Sequence, residues 1–190
     1  MSYSSSLLHV IILGQSNASN LKNKGSDGVS GQEYLRQTID NKGIFEEVSV
    51  SNYAVGSTPV DADRLLNPLT PNNGWWFLDT NAPAPSLVSA ITGIRNDITR
   101  LGLDLAQDHL SIVWSQGETD ASGIRQGKTD IERYTQATQA VFEYIRSEIG
   151  ADISVFLIKT GGYDQAGGIA IGRTQEFIGA SNVAHNQIQQ

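Results

Sequence analysis

Apolar positions along the chain alternate between two rhythms, one of strands and one of helices. Leu7 to Leu13 is a nearly continuous apolar run closed by Gly14, the pattern of a strand covered on both faces. Val48 to Val55 alternates through Val48, Val50, Asn52 and Ala54 and predicts a second strand ending at Gly56. Pro85 to Leu101 then places Leu87, Ile91, Ile94, Ile98 and Leu101 at helical spacing, with Pro85 at its start and Gly102 past its end. Leu110 to Trp114 predicts a third strand. Ile131 to Ile149 predicts a second helix through Tyr134, Val141, Phe142 and Ile145, stopped by Gly150. Ile153 to Ile158 predicts a fourth strand, followed by Gly161 and Gly162, and from about Gln175 the pattern is weakly helical. Strands alternating with helices of this length imply a parallel sheet with helices on both faces. No internal repeat is visible.

Three of these strands end in small polar clusters: Gly14-Gln15-Ser16-Asn17, Gly56-Ser57-Thr58 and Ser115-Gln116-Gly117-Glu118. In an open parallel sheet all carboxyl ends lie on one edge, where ligands bind. Ser16 would present a hydroxyl there, with backbone N–H groups beside it. Gly56 would let a substrate oxygen approach a bare backbone N–H, and Gln116 would add a side-chain N–H. One hydroxyl and three converging donors outline an acyl-transfer site. The alternatives are plain: a serine after a strand also caps a helix, a glycine also makes a turn, and a glutamine also satisfies a strand end. Glu118 and Asp120, two residues apart, are read as loop braces through backbone N–H groups, and Asn17 as part of the same bracing.

Composition narrows the chemistry. The 190 residues fit one domain, and 39% hydrophobic with 17% charged residues is ordinary for a globular chain. A net charge of −7 argues against nucleic acid or an anionic membrane as partner. The absence of cysteine removes thiol nucleophiles, disulfides and Cys-ligated zinc. No run reaches the ~18 apolar residues of a membrane span. The opening "MSYSSSLLHVIILG" lacks a basic region and a small-residue cleavage site, so it is read as the first strand and not as a signal peptide. Localisation stays open, a phage virion or extracellular role included.

With these blocks in hand, the chain resembles the SGNH (GDSL-type) hydrolases. "GQSN" after the first strand, "YAVGST" after the second and "WSQGETD" after the third are similar to the branch containing sialate O-acetylesterases and acetyl xylan esterases. The resemblance spans roughly Leu7 to Ile158. It implies a flavodoxin-like three-layer α/β/α sandwich and a serine esterase that removes O-acetyl groups from carbohydrate. It further implies Ser16 as nucleophile and oxyanion N–H, Gly56 as second N–H, Gln116 as side-chain donor, and no metal or other cofactor. The partner implied is an acetylated carbohydrate.

The family also carries an Asp-x-x-His dyad after a fifth strand, and the C-terminal "RTQEFIGASNVAHNQIQQ" has none. The expectation is therefore a single domain, 1–190, that lacks its C-terminal strand and is C-terminally incomplete, either truncated or one fragment of a larger protein with further domains. Without a base, catalysis would fall to the ~10³–10⁴-fold that donors and binding supply. His9 and His109 open strands at the wrong edge, and His185 stands in the wrong sequence context. Three histidines without HxH or HExxH spacing make no metal site.

Other readings follow from the same residues. The scaffold could be a non-catalytic glycan-binding module. A nucleotide binder is disfavoured because the first loop lacks phosphate-binding glycines, and "GGYDQAGG" lacks the Gly-Lys-Ser/Thr ending of a phosphate loop. The proline-rich stretch Pro59–Pro85 carries Trp75, Trp76 and Phe77 in a row. These aromatics either stack on sugar rings or pin the loop to the body.

Overall fold

The computed structural model describes residues 6–65, 73–150 and 153–158. The chain opens with β1 (Leu7–Gly14), whose buried run passes into a short helix α1 (Ser16–Asn20). A second helix α2 (Gly31–Asp40) follows, then β2 (Glu47–Asn52). Ser30 caps α2, its hydroxyl accepting from the Glu33 N–H at 3.1 Å, in the Ser-x-x-Glu spacing that starts helices. Next come a single turn α3 (Ala62–Leu65) and a two-stranded hairpin of β3 (Trp76–Phe77) and β4 (Ala82–Pro83). The long helix α4 (Pro85–Leu101) has the predicted bounds, with proline in its first turn and Gly102 in the left-handed cap. β5 (His109–Ser115) leads to α5 (Glu118–Arg125). α6 (Ile131–Ile149) also keeps its predicted bounds, capped by the Asp130 carboxylate and by Gly150. β6 (Ser154–Ile158) is the last described element.

The main sheet has the order β2-β1-β5-β6, and every pairing is parallel. This is the flavodoxin-like arrangement, reversing direction between β1 and β5. Alternation of side chains across β1 divides the core. Ile11 and Leu13 face α4 and α6 in the larger cluster, with Leu87, Ile94, Val141 and Phe142. Ile12 faces the other way, toward Ala18 of α1 and the half-buried Leu21 and Leu35. The result is a three-layer α/β/α sandwich, as the strand–helix alternation implied. The helix expected from Gln175, and the question of a missing C-terminal strand, lie outside the described residues.

The two tryptophans of the long loop resolve in favour of pinning. Trp75 is fully buried and meets Trp114 edge-on with ring centroids 5.2 Å apart. Trp76 is nearly as buried and tilts against Tyr144 of α6. Neither ring is exposed to stack on a sugar. Each large aromatic surface instead anchors the hairpin to the core.

The loop's polar side is tied down as firmly. Fully buried Asp61 receives the Arg133 guanidinium at 2.7 and 3.1 Å and the Thr129 hydroxyl at 2.7 Å. The same guanidinium reaches Asp79 at 3.1 Å, so α6 holds both ends of the segment. A bidentate, hydrogen-bonded pair of this kind satisfies a charge that burial would otherwise penalise.

Candidate active site

The carboxyl ends of β1, β2 and β5 meet at one sheet edge, and a close backbone approach defines the first of them. Gly14 has φ of +125°, and a β-carbon there would sit 1.8 Å from the Ser115 carbonyl oxygen. The next N–H, of Gln15, donates to that same carbonyl at 3.0 Å. The glycine of "GQSN" is therefore set by the contact between β1 and β5. Ser16 is the first residue of α1, directly beyond this junction. Helix starts leave backbone N–H groups without intrahelical acceptors.

Gly56 lies in the turn after β2, preceding Ser57, which has φ of +58°. Gly56 itself has no left-handed φ, and among the described residues a β-carbon on it would meet only the Ser19 hydroxyl at 3.9 Å. Neither its backbone geometry nor its packing among the described residues demands a glycine at this position. What its bare Cα preserves is open space beside α1.

Gln116 is 4% exposed and faces inward. Its amide nitrogen donates to the Thr58 carbonyl at 2.6 Å, to Gln15 Oε1 at 2.9 Å and to Asp120 Oδ2 at 3.2 Å. Two N–H groups are thus shared among three acceptors, and none is left pointing at a ligand in this arrangement. The side chain expected to donate to an oxyanion acts here as the clamp joining the ends of β1, β2 and β5. Gln15 completes the clamp: its Oε1 also accepts from the Thr119 N–H at 3.3 Å. Sequence reasoning passed over Gln15, although glutamines closing two neighbouring strands were a visible signal.

Asp120 is fully buried below this clamp. Both of its oxygens accept from the Val60 N–H, at 3.0 and 3.1 Å, and Oδ1 accepts from the Asp61 N–H at 3.3 Å. Burial pushes its carboxyl up to about 6, partly offset by these N–H donors and by Gln116. The brace through backbone N–H groups read from the sequence is what Asp120 forms. Glu118, by contrast, lines the cavity next to the junction.

That cavity has a volume of about 470 Å³ and lies between the sheet edge, α3 and α5, with Gln15, Ser57, Thr119 and Ser122 in its wall. Its size is within the usual range for small-molecule sites, and its lining is mainly polar.

The histidines are elsewhere. His9 is the third residue of β1, roughly 17 Å of extended strand from Gly14. It is fully buried, with Nε2 3.4 Å from Asp97 Oδ2. Burial lowers its pKa, partly countered by Asp97. The Tyr53 hydroxyl and the Arg100 guanidinium also bond Asp97, which closes a polar cluster under α4. His109 begins β5 and packs edge-on against Phe45. Both therefore sit where the sequence put them, away from the carboxyl edge, while His185 lies outside the described residues. Among the described residues no group of three His, Asp or Glu side chains is placed to hold a metal ion, and no helix is long and apolar enough to cross a membrane.

No family model matches the chain. Among solved structures, it is similar to the crystal structure of the lipase/acylhydrolase from Enterococcus faecalis, at 15% identity and a TM-score of 0.48. The match covers 95% of this chain and 70% of that one. At this distance the likeness assigns no chemistry.

Proposed function

We propose that the chain is an SGNH-type serine esterase that removes O-acetyl groups from carbohydrate. The observation that supports this reading most is the convergence of Ser16, Gly56 and Gln116 at one sheet edge beside a polar cavity. Ser16 attacks the acetyl carbonyl carbon, its proton passing to a base, and the sugar oxygen leaves with a proton as the acyl-enzyme forms. Water then attacks the acyl carbon and releases acetate and free Ser16. The backbone N–H groups of Ser16 and Gly56 hold the oxyanion. Gln116 joins as a third donor by exchanging one of its three internal acceptors for that oxygen. His9 and His109 sit away from this edge, so the reading takes His185, the remaining histidine of the chain, as its candidate base.

The test is acetate release from an activated aryl acetate by the native chain, Ser16→Ala and His185→Ala. The expected result is turnover by the native protein and a loss of at least about 1,000-fold in Ser16→Ala. Equal rates in native and Ser16→Ala, or no turnover by a folded native chain, overturn the esterase reading. The second outcome leaves the glycan-binding alternative. A comparable loss in His185→Ala identifies the base.

Gly56→Ala separates the site from the fold. Among the described residues a β-carbon meets no clash there, so urea unfolding should change by less than about 1 kcal/mol. Acetate release should nonetheless fall by at least about tenfold, because the methyl occupies the approach to the oxyanion N–H.

A further inference from the structure

Resting on that reading of the cavity, we infer that it selects an anionic glycan, whose negative charge is received by Lys128 and Arg64. The chain as a whole is acidic, with 20 Asp and Glu against 13 Lys and Arg. The cavity wall reverses that balance: among the described residues Lys128 and Arg64 line it with a single carboxylate, Glu118. Charges of one sign gathered in a cleft focus the field and raise the local concentration of an oppositely charged ligand.

The two cations are differently prepared. Among the described residues the Lys128 ammonium makes no ion pair. Arg64 touches Asp79 at 3.3 Å across an exposed contact. A guanidinium has five donors, and most of its fork is left for a planar anion such as a carboxylate. Arg64 also stands on a rigid base. Its neighbour Asp63 accepts from the Asp79 N–H at 2.8 Å, and Arg133 ties Asp79 to buried Asp61. Preorganisation of this kind lowers the ordering cost of binding. The hydroxyls of Thr119 and Ser122 in the same wall suit the neutral oxygens of a sugar.

The experiment is calorimetric titration of the full chain with a galacturonic acid trisaccharide and with neutral xylotriose, at low salt and at about 0.2 M salt. The acidic sugar is expected to bind at least about fivefold more tightly than the neutral one at low salt, with the difference shrinking as salt rises. Lys128→Glu and Arg64→Gln should each weaken the acidic sugar by more than they weaken the neutral one. Equal binding of both sugars, no binding of either, or unchanged acidic-sugar affinity in both variants overturns the inference. The aryl acetate assay reads the esterase proposal separately. Acidic-sugar binding without turnover supports the anion site and removes the esterase. Turnover without acidic-sugar preference does the reverse.

Discussion

Gly14→Ala is expected to leave no stably folded protein. The new β-carbon would lie 1.8 Å from the Ser115 carbonyl oxygen and 2.5 Å from its carbon, both backbone atoms inside the central strand pair. Moving either strand would disturb the register of Gly14 with Ser115 and the Gln15 N–H bond that follows it. The φ of +125° adds backbone strain for any residue with a side chain. Interiors transmit such displacements because they are close-packed. The expected loss is above about 4 kcal/mol, a large part of a domain's total stability. Circular dichroism and urea unfolding of the purified variant check it. A cooperative transition near the native midpoint would show that β1 and β5 can separate at this end without cost.

Asp120→Ala is the second large effect. It strips an acceptor from the Val60 and Asp61 N–H groups and from the Gln116 amide, all in a fully buried place. Orphaned buried donors cost about 1–3 kcal/mol each, so a loss of about 3 kcal/mol or more is expected. The effect should depend on pH in a defined direction. Folding raises this carboxyl from 3.8 to about 6. Between those values the folded state keeps a proton that the unfolded state has lost, so ionisation lowers native stability as pH rises through this window. Asp120→Ala lacks that term. The gap between native and variant should therefore be widest below pH 3.8 and narrow up to about pH 6, then stay constant as far as this group is concerned. Urea unfolding at a series of pH values measures it. A gap that widens from pH 4 to 6 would mean that the N–H donors outweigh burial.

The fold was legible where periodicity and punctuation agreed. α4 and α6 carry apolar residues at helical spacing over many turns, between a proline or aspartate start and a glycine stop, and their bounds emerged as read. β1, β5 and β6 emerged within a residue or two of expectation, because a strand buried on both faces is a short apolar run. α2 was not legible by periodicity, since it buries no residue completely and exposes Tyr34 at 67%. The Ser30–Glu33 capping spacing was its visible signal. α5 is hidden in the sequence because it begins inside the polar cluster Ser115-Gln116-Gly117-Glu118 at the end of β5.

The candidate site divides in the same way. The clusters at the strand ends named Ser16, Gly56 and Gln116, and parallel topology was enough to gather them at one edge. Which way Gln116 points was not in the sequence. Its direction depends on Thr58, Gln15 and Asp120, which come from three separate segments and meet only after the sheet forms. The tryptophans show the same limit, since consecutive Trp75 and Trp76 could equally face solvent or core until Trp114 and Tyr144 were in place. By itself the sequence determined element type, strand-edge chemistry and net charge, all of which follow from local period and residue identity. The tertiary structure alone decided which glycine is demanded by a neighbouring strand. It also decided which carboxylate is a buried brace and where an acidic chain gathers two cations. Each of these depends on distances between residues far apart in the chain, and only packing sets them.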